Sequence, residues 1–415
     1  MAIIGIVAEY NPFHNGHLHL ITEAKQKNSS CPIVCVMSGN FLQRGEPAIC
    51  NKWARAEMAL KSGADVVIEL PFCFSVRSAY YFAQGALRLL QRSGVITHLA
   101  FGAESDDLQV LNSITEILAA EPAVYSNLVK KNLASGKSFP LARSQALQQY
   151  MGKRSADLQA VLSGPNNILA IEYLRVIKEE SLTLAPILIK RKGSGYHDTN
   201  LAPLASATAI RNHLLTNNGL NDLGGSMPQA SLKILEREIS LGRCPVSLDT
   251  LERAVLIKLR TISLPDLRTI YEISEGLESR FKEAAGCSGT LNQLLQSVKS
   301  KRYSFTRIKR TLMYILFELT NEQISGFDQH GPMYLHILGF SAKGQKILQE
   351  IKNKSELPVL SRGKDMKKNR DENPGSTLRA MIDLEVRATD VYTLLYPEPS
   401  QRQAGKDFTT SPIIV

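Results

Sequence analysis

Short apolar runs alternate with amphipathic stretches through the first half of the chain. Ile3–Ala8, Pro32–Met37, Asp65–Leu70, Ile96–Phe101 and Leu184–Ile189 are brief and rich in β-branched residues, which predicts strands. Between them, Leu18–Lys27, Lys52–Lys61, Ala79–Arg92 and Leu108–Ala119 bring apolar side chains back at helical period. Strands that short, separated by helices, predict a parallel sheet buried on both faces, a doubly wound α/β domain over residues 1–215. From about Thr216 the pattern turns mainly helical, in Ala230–Leu241, Leu251–Thr261, Leu291–Val298, Arg307–Leu319 and Ala342–Ile351, and predicts an α-helical domain over 216–415. The Asn/Gly/Ser-rich stretch Thr216–Ser226 reads as the linker, and there is no internal repeat.

A length of 415 residues supports two or three compact units at about 150 residues each. With 44% hydrophobic and 21% charged residues, the chain is neither disordered nor fibrous. No apolar stretch approaches the roughly 18 residues of a membrane span. Met1–Val7 lacks a basic flank and runs into Glu9, so a first strand is expected there and not a signal peptide. A cytoplasmic protein with no membrane partner is the expectation. The six cysteines (Cys31, Cys35, Cys50, Cys73, Cys244, Cys287) show no C-x-x-C spacing, which predicts buried reduced thiols and no zinc site. No other dedicated metal-ligand spacing occurs.

The net charge of +10 changes the picture by suggesting a polyanionic partner. The excess divides evenly between the halves, but Lys299, Lys301, Arg302, Arg307, Lys309 and Arg310 crowd into a segment without acids that includes Tyr303 and Phe305. That mixture suits phosphate contacts and base stacking. Arg362, Lys364, Lys367, Lys368 and Arg370 form a second cluster. Either can equally be a solvated helix face or loop.

The residues most telling of chemistry follow the first strand: Gly5-Ile6-Val7-Ala8-Glu9-Tyr10-Asn11-Pro12-Phe13-His14-Asn15-Gly16-His17-Leu18. A strand, a tight turn and His-x-Gly-His opening a helix put two imidazoles where a helix N-terminus favours phosphate. Donors there stabilise charge developing on the phosphates of a nucleotide under attack. Ser206-Ala207-Thr208-Ala209-Ile210-Arg211, taken alone, is a helix N-cap. Beside the first motif it offers hydroxyls and amides to a triphosphate, with Arg211 contacting phosphate or packing the motif.

These two elements resemble the Pro-x-His-x-Gly-His and Ser-x-Thr-x-Ile-Arg signatures of the nucleotidylyltransferase superfamily. Asn11 departs from the Asp of many small members. Closer words narrow the resemblance to the bacterial tRNA(Met) cytidine acetate ligases: Ala8–His17, then Met37-Ser38-Gly39-Asn40-Phe41-Leu42-Gln43-Arg44-Gly45-Glu46-Pro47, Asp65–Pro71, Phe101–Glu104, Gly164–Leu169, Lys190–Asp198 and Leu338–Phe340. The resemblance spans the chain, with its distinctive motifs in 1–215.

It implies a Rossmann-like nucleotidyltransferase domain over 1–215 that binds ATP, followed by a helical, tRNA-binding domain over 216–415. The implied reaction forms acetyl-adenylate from ATP and acetate, then transfers acetyl to the exocyclic amine of the wobble cytidine of elongator tRNA(Met). Acetate is already anionic, so it needs no general base; the protein positions ATP and stabilises phosphate. By matching position, Val7–Leu20 (through His19 and Leu20) encloses ATP, with His14 and His17 catalytic on the phosphates. Gly102 admits the nucleotide, Asn167 either bonds it or caps a helix, and Arg191 or Lys192 meets the triphosphate. Glu9 either orients a ligand or ends the strand; Asn40, Gln43 and Arg44 are either substrate contacts or loop structure. Ser206, Thr208 and Arg211 form the phosphate loop, Mg2+ accompanies ATP as counter-ion, and Lys299–Arg310 is the first choice for the tRNA grip. The rivals are a nucleotidyltransferase acting on a small phosphorylated metabolite and a non-catalytic RNA-binding protein. The base for acetyl transfer is unassigned.

Overall fold

The computed structural model describes residues 2–27, 31–152, 158–192, 204–217 and 219–415. Its centre is a sheet whose strands are β1 (Ile4–Ala8), β2 (Ile33–Ser38), β3 (Val66–Leu70), β4 (His98–Ala103), β5 (Ala185–Lys190), β6 (Leu335–Phe340), β7 (Val359–Leu360) and β8 (Ile413–Ile414). The order is β5-β4-β1-β2-β3-β6-β7, with β8 on β6. β1 to β5 are mutually parallel and fall within two residues of the runs read from the sequence. The chain moves outward from β1 through β2 to β3, then returns past β1 for β4 and β5. That reversal opens a crevice between the carboxyl ends of β1 and β4, the place where such sheets bind ligands.

Alternation within the strands divides the apolar side chains between two cores. Ile33, Cys35 and Met37 join Ile4 and Ile6 beneath the helices Asn15–Lys27 and Lys52–Lys61, while Val34 and Val36 join Ile3 and Val66 beneath Ala79–Arg92 and Pro165–Glu179. Cys35, Cys50, Cys73 and Cys244 are buried free thiols, and burial pushes Cys35 and Cys50 up to about 12. Cys31 is half-buried, and Cys287 departs from the expectation by being exposed.

Residues 216–415 are mainly helical, as expected, but also extend the sheet. β6 runs antiparallel to β3, and β7 and β8 run parallel to β6. Gly339 permits this closure, because a Cβ there would lie 2.6 Å from the Ile413 carbonyl oxygen. A buried ionic cluster joins the two parts. The Lys52 ammonium lies 2.8 Å from Glu69, 2.6 Å from Asp407 and 3.6 Å from Glu385, and His336 Nδ1 is 2.5 Å from Glu69. Glu385 also accepts the Phe72 N–H at 2.7 Å. Burial works against the Lys52 ammonium, but Asp407, Glu69 and Glu385 outweigh it and push its pKa up. Burial, then the neighbouring Lys52, lowers His336 to about 4. Glu69, His336 and Asp407 have metal-ligand spacing, but an ammonium stands among them. Elsewhere Arg77 bridges the halves through a bidentate pair with Asp328, sandwiched by Tyr81 and Tyr271.

Candidate active site

The turn after β1 is built to bring His14 and His17 together. Tyr10 takes a left-handed φ of 48°, a conformation costing a non-glycine residue about 1–3 kcal/mol. Its buried ring offsets that cost, meeting Phe13 at 4.8 Å and His17 edge-on at 4.9 Å, with its hydroxyl 3.2 Å from Cys35 Sγ. The Asn11–Pro12 peptide is cis. The His14 and His17 rings then lie 3.9 Å apart. Gly16 is required by this packing, since a Cβ there would approach His14 Cε1 to 2.7 Å.

Hydrogen bonding fixes the protons. His14 Nδ1 accepts the Gly16 N–H at 3.0 Å, and His17 Nδ1 accepts the His14 N–H at 3.2 Å. Burial, reinforced by Arg191 and Arg211, lowers His14 to about 3; burial and then His14 hold His17 well below its usual range. Both rings are therefore neutral and carry their proton on Nε2, as hydrogen-bond donors and not cations.

The second motif packs on the first. Arg211 donates to the Asn11 carbonyl at 2.8 Å and to the Thr208 hydroxyl at 3.2 Å, and Ser206 Oγ accepts the Ala209 N–H as an N-cap. Of the two roles open to Arg211, packing the motif is thus the one with visible contacts. Asn11, where a carboxylate was the alternative, spends its side-chain oxygen on the Ile49 N–H at 2.7 Å. An amide does this without adding charge beside the histidine pair.

A cleft lined by Gly16, His17, His19, Leu20, Gly102, Ile189, Lys190, Arg191 and Lys192 unites residues that the sequence had left far apart. The Arg191 stem crosses Gly102, where a Cβ would lie 3.2 Å from Arg191 Cγ, and its guanidinium reaches Asn166 Oδ1 at 3.3 Å. Lys192 stands 3.9 Å from Glu23, and His19 lies 3.6 Å from the same carboxylate. Asn167 is buried at the start of the helix Pro165–Glu179; its amide accepts the Ser105 N–H and donates to the Val161 carbonyl. Residues 193–198 of the Lys190–Asp198 stretch lie outside the described residues.

Glu104, quoted above without a role, lies close to Arg191 and has a structural task. Its two oxygens accept from the N–H groups of Asn166 and Asn167 and from the Asn166 amide, supplying the cap that Gly164 cannot. The available signal was that capless Gly164-Pro165 start, which calls for an acid from elsewhere. Gly225 and Ser226, in the linker, likewise hold Asn15 through their carbonyls. Of the loop residues, Asn40 binds Thr389 and the Lys52 N–H, and Gln43 donates its backbone N–H to Glu9 at 2.8 Å and its amide to the Arg77 carbonyl. Burial raises the Glu9 pKa, and the Gln43 bond and then the half-buried Arg44 oppose that rise.

The basic segment lies next to that loop. Acids remote in sequence meet most of it: Arg302 pairs with Glu275 at 3.0 Å, Arg307 and Arg310 approach Glu272 at 3.8 and 3.9 Å, and Lys309 pairs with Glu46 at 2.5 Å. Lys299 covers the Phe305 ring, and Tyr303 is buried under Arg307, so that ring is not displayed for base stacking. Lys301 is exposed and has no acidic partner among the described residues. In the second cluster Arg362, Lys364, Lys367 and Lys368 are exposed, while Arg370 bonds Asp383.

Comparison with known proteins identifies the family to which the chain belongs. Residues 1–407 match the family model described as HIGH Nucleotidyl Transferase. The chain is 60% identical over 413 residues to a tRNA(Met) cytidine acetate ligase of Syntrophomonas wolfei, covering 100% of this chain and 99% of that one. It is 41% identical to the enzyme of that name from Halothermothrix orenii, over 98% of each chain. Crystal structures of Thermotoga maritima TmcAL, apo and bound with alpha-thio ATP, superpose with TM-scores of 0.94 and 0.93 at 37% identity over the whole of both chains.

Proposed function

The chain belongs to the HIGH nucleotidyl transferases and, among them, to the tRNA(Met) cytidine acetate ligases, and from that premise we infer that it is an ATP-dependent enzyme acetylating a tRNA cytidine. Acetate is the acyl donor. Its carboxylate attacks the α-phosphorus of ATP, pyrophosphate leaves, and the mixed anhydride acylates the exocyclic amine of the wobble cytidine in elongator tRNA(Met). A free carboxylate cannot acylate so weak a nucleophile, so adenylation comes first.

The observation that carries this reading is the cleft at the β1–β4 crevice, where His17, Gly102 and Arg191 converge with His14 stacked behind. Nε2–H groups of two neutral imidazoles are donors suited to phosphate oxygens as charge shifts from acetate to pyrophosphate. Arg191 supplies the positive charge, and Ser206–Arg211 closes the site from the side of Asn11. Mg2+ comes with ATP as its counter-ion. Residues 1–215 perform adenylation, and residues 216–415 grip the anticodon arm with the exposed face of Lys299–Arg310. Among the described residues no helix is long and apolar enough to cross a membrane, and we assign the protein to the cytoplasm, with its tRNA.

Isotope exchange between pyrophosphate and ATP tests the reading. Exchange that requires acetate is expected. Exchange that instead requires a phosphorylated metabolite, or none in any mixture, would replace this function with one of its rivals.

A further inference from the structure

The phosphate-directed groups occupy the β4–β5 side of the crevice, yet one ionisable group opens on the other side. Glu9 follows β1 directly, in line with Ile3 and Val7, which face away from the helix that carries His17. Its carboxylate is half-buried and half-used. One oxygen accepts the Gln43 N–H at 2.8 Å, while the other accepts no hydrogen bond from a described residue. The backbone beneath it is fixed, because the buried Arg55 guanidinium donates to the Glu9 carbonyl at 2.6 Å and to the Ser38 carbonyl at 3.1 Å.

The same loop that holds Glu9 touches the basic segment. Lys309 pairs with Glu46, and a Cβ on Gly45 would lie 2.4 Å from the Arg310 nitrogen, so the loop lies against the helix Phe305–Leu316. A polynucleotide resting on that segment would lie beside the loop whose Gln43 holds Glu9.

We propose that the Glu9 carboxylate receives the exocyclic amine of the target cytidine and takes its proton during acetyl transfer, an inference that rests on the acetylation reading above. A carboxylate is the natural acceptor for the cytosine amino group. As the amine nitrogen forms its bond to the acetyl carbon, the bond from that carbon to the phosphate oxygen breaks. AMP leaves with the electron pair, and one amine proton passes to Glu9. Burial raises the Glu9 pKa, although the Gln43 bond and then Arg44, Arg211 and Arg55 pull it back, which makes it a better base than an exposed glutamate.

The test uses the full-length enzyme, tRNA(Met) and purified acetyl-adenylate, which bypasses the first step. Glu9→Gln, whose amide oxygen can still accept the Gln43 bond, is expected to lower transfer from supplied acetyl-adenylate by about 10²-fold or more. Acetate-dependent exchange should fall by a much smaller factor, and the rise of the wild-type transfer rate with pH should flatten. Glu9→Asp should retain that rise with an intermediate rate, and serves the same purpose if the glutamine variant does not fold. Transfer at the wild-type rate by Glu9→Gln, or an equal loss of exchange and transfer, overturns the proposal. An absence of acetate-dependent exchange in the wild type would instead overturn the acetylation reading.

Discussion

The β1–β4 crevice and the cluster around Lys52 are both made of ionisable side chains removed from water, yet they are opposite in design. In the cluster every charge faces another: Lys52 is ringed by Glu69, Asp407 and Glu385, and His336 leans on Glu69. In the crevice the protein satisfies only one edge of each group. His14 and His17 accept backbone N–H bonds at Nδ1 and leave Nε2 to a ligand, and Glu9 is held by one oxygen. Burial alone does not mark a site; the difference lies in whether the buried charges compensate one another, as around Lys52, or leave an edge facing a cleft.

Four substitutions put this contrast at risk. Lys52→Met should have the largest effect, leaving buried carboxylates without their cation at a cost of about 3–5 kcal/mol, read as a lower urea midpoint. Exchange by the fraction still folded should persist; a variant with wild-type stability but no exchange would make the cluster part of the chemistry. His17→Ala should do the reverse, lowering exchange about 10²–10³-fold while moving the midpoint less than Lys52→Met does.

Titration sharpens the contrast next. His14 is lowered to about 3 when folded, so the unfolded chain binds the extra proton between its ordinary pKa near 6.5 and that value. Its contribution to stability is therefore full above about pH 6.5 and is lost as pH falls towards 3. His14→Asn should flatten stability against pH in that window by up to about 1.4 kcal/mol per pH unit. An unchanged slope would mean that His14 is not buried as a neutral ring. The smallest effect is expected at Lys301, exposed and without an acidic partner among the described residues. Lys301→Glu should weaken tRNA binding modestly and reduce the slope of log affinity against log salt by about one. An unaltered slope removes Lys301 from the interface.

Much of the crevice was legible because its grammar is local. β1, the turn and the helix lie within Ile4–Lys27, and apolar runs of the right length located β2 to β5. The cluster was not legible, because nothing near Lys52 in the sequence indicates that Glu385 and Asp407 complete its ring of acids, or that His336 meets Glu69. The same distance effect governed the basic segment: Glu46, Glu272 and Glu275 neutralise residues that look unopposed when read in order. β6 was missed for a related reason, since Leu335–Phe340 is as apolar as the earlier strands but sits among helices. Its role becomes visible only once Glu69 is opposite His336. At Asn11 and Glu104 the residue types were noticed, but their jobs, holding Ile49 and capping the helix at Pro165, depend on loops meeting in space.

The bond between Phe72 and Glu385 spans 313 residues, and Lys52 waits still further for Asp407. During synthesis the ribosome delivers a β3 edge without β6, and a lysine with only Glu69 of its three acidic partners. Until the last of them emerges, that edge has only solvent or a chaperone to cover it. The enzyme thus completes its central sheet only once residues beyond 407 have been made, and a chain stalled or released before them would expose this edge to the cell's proteases.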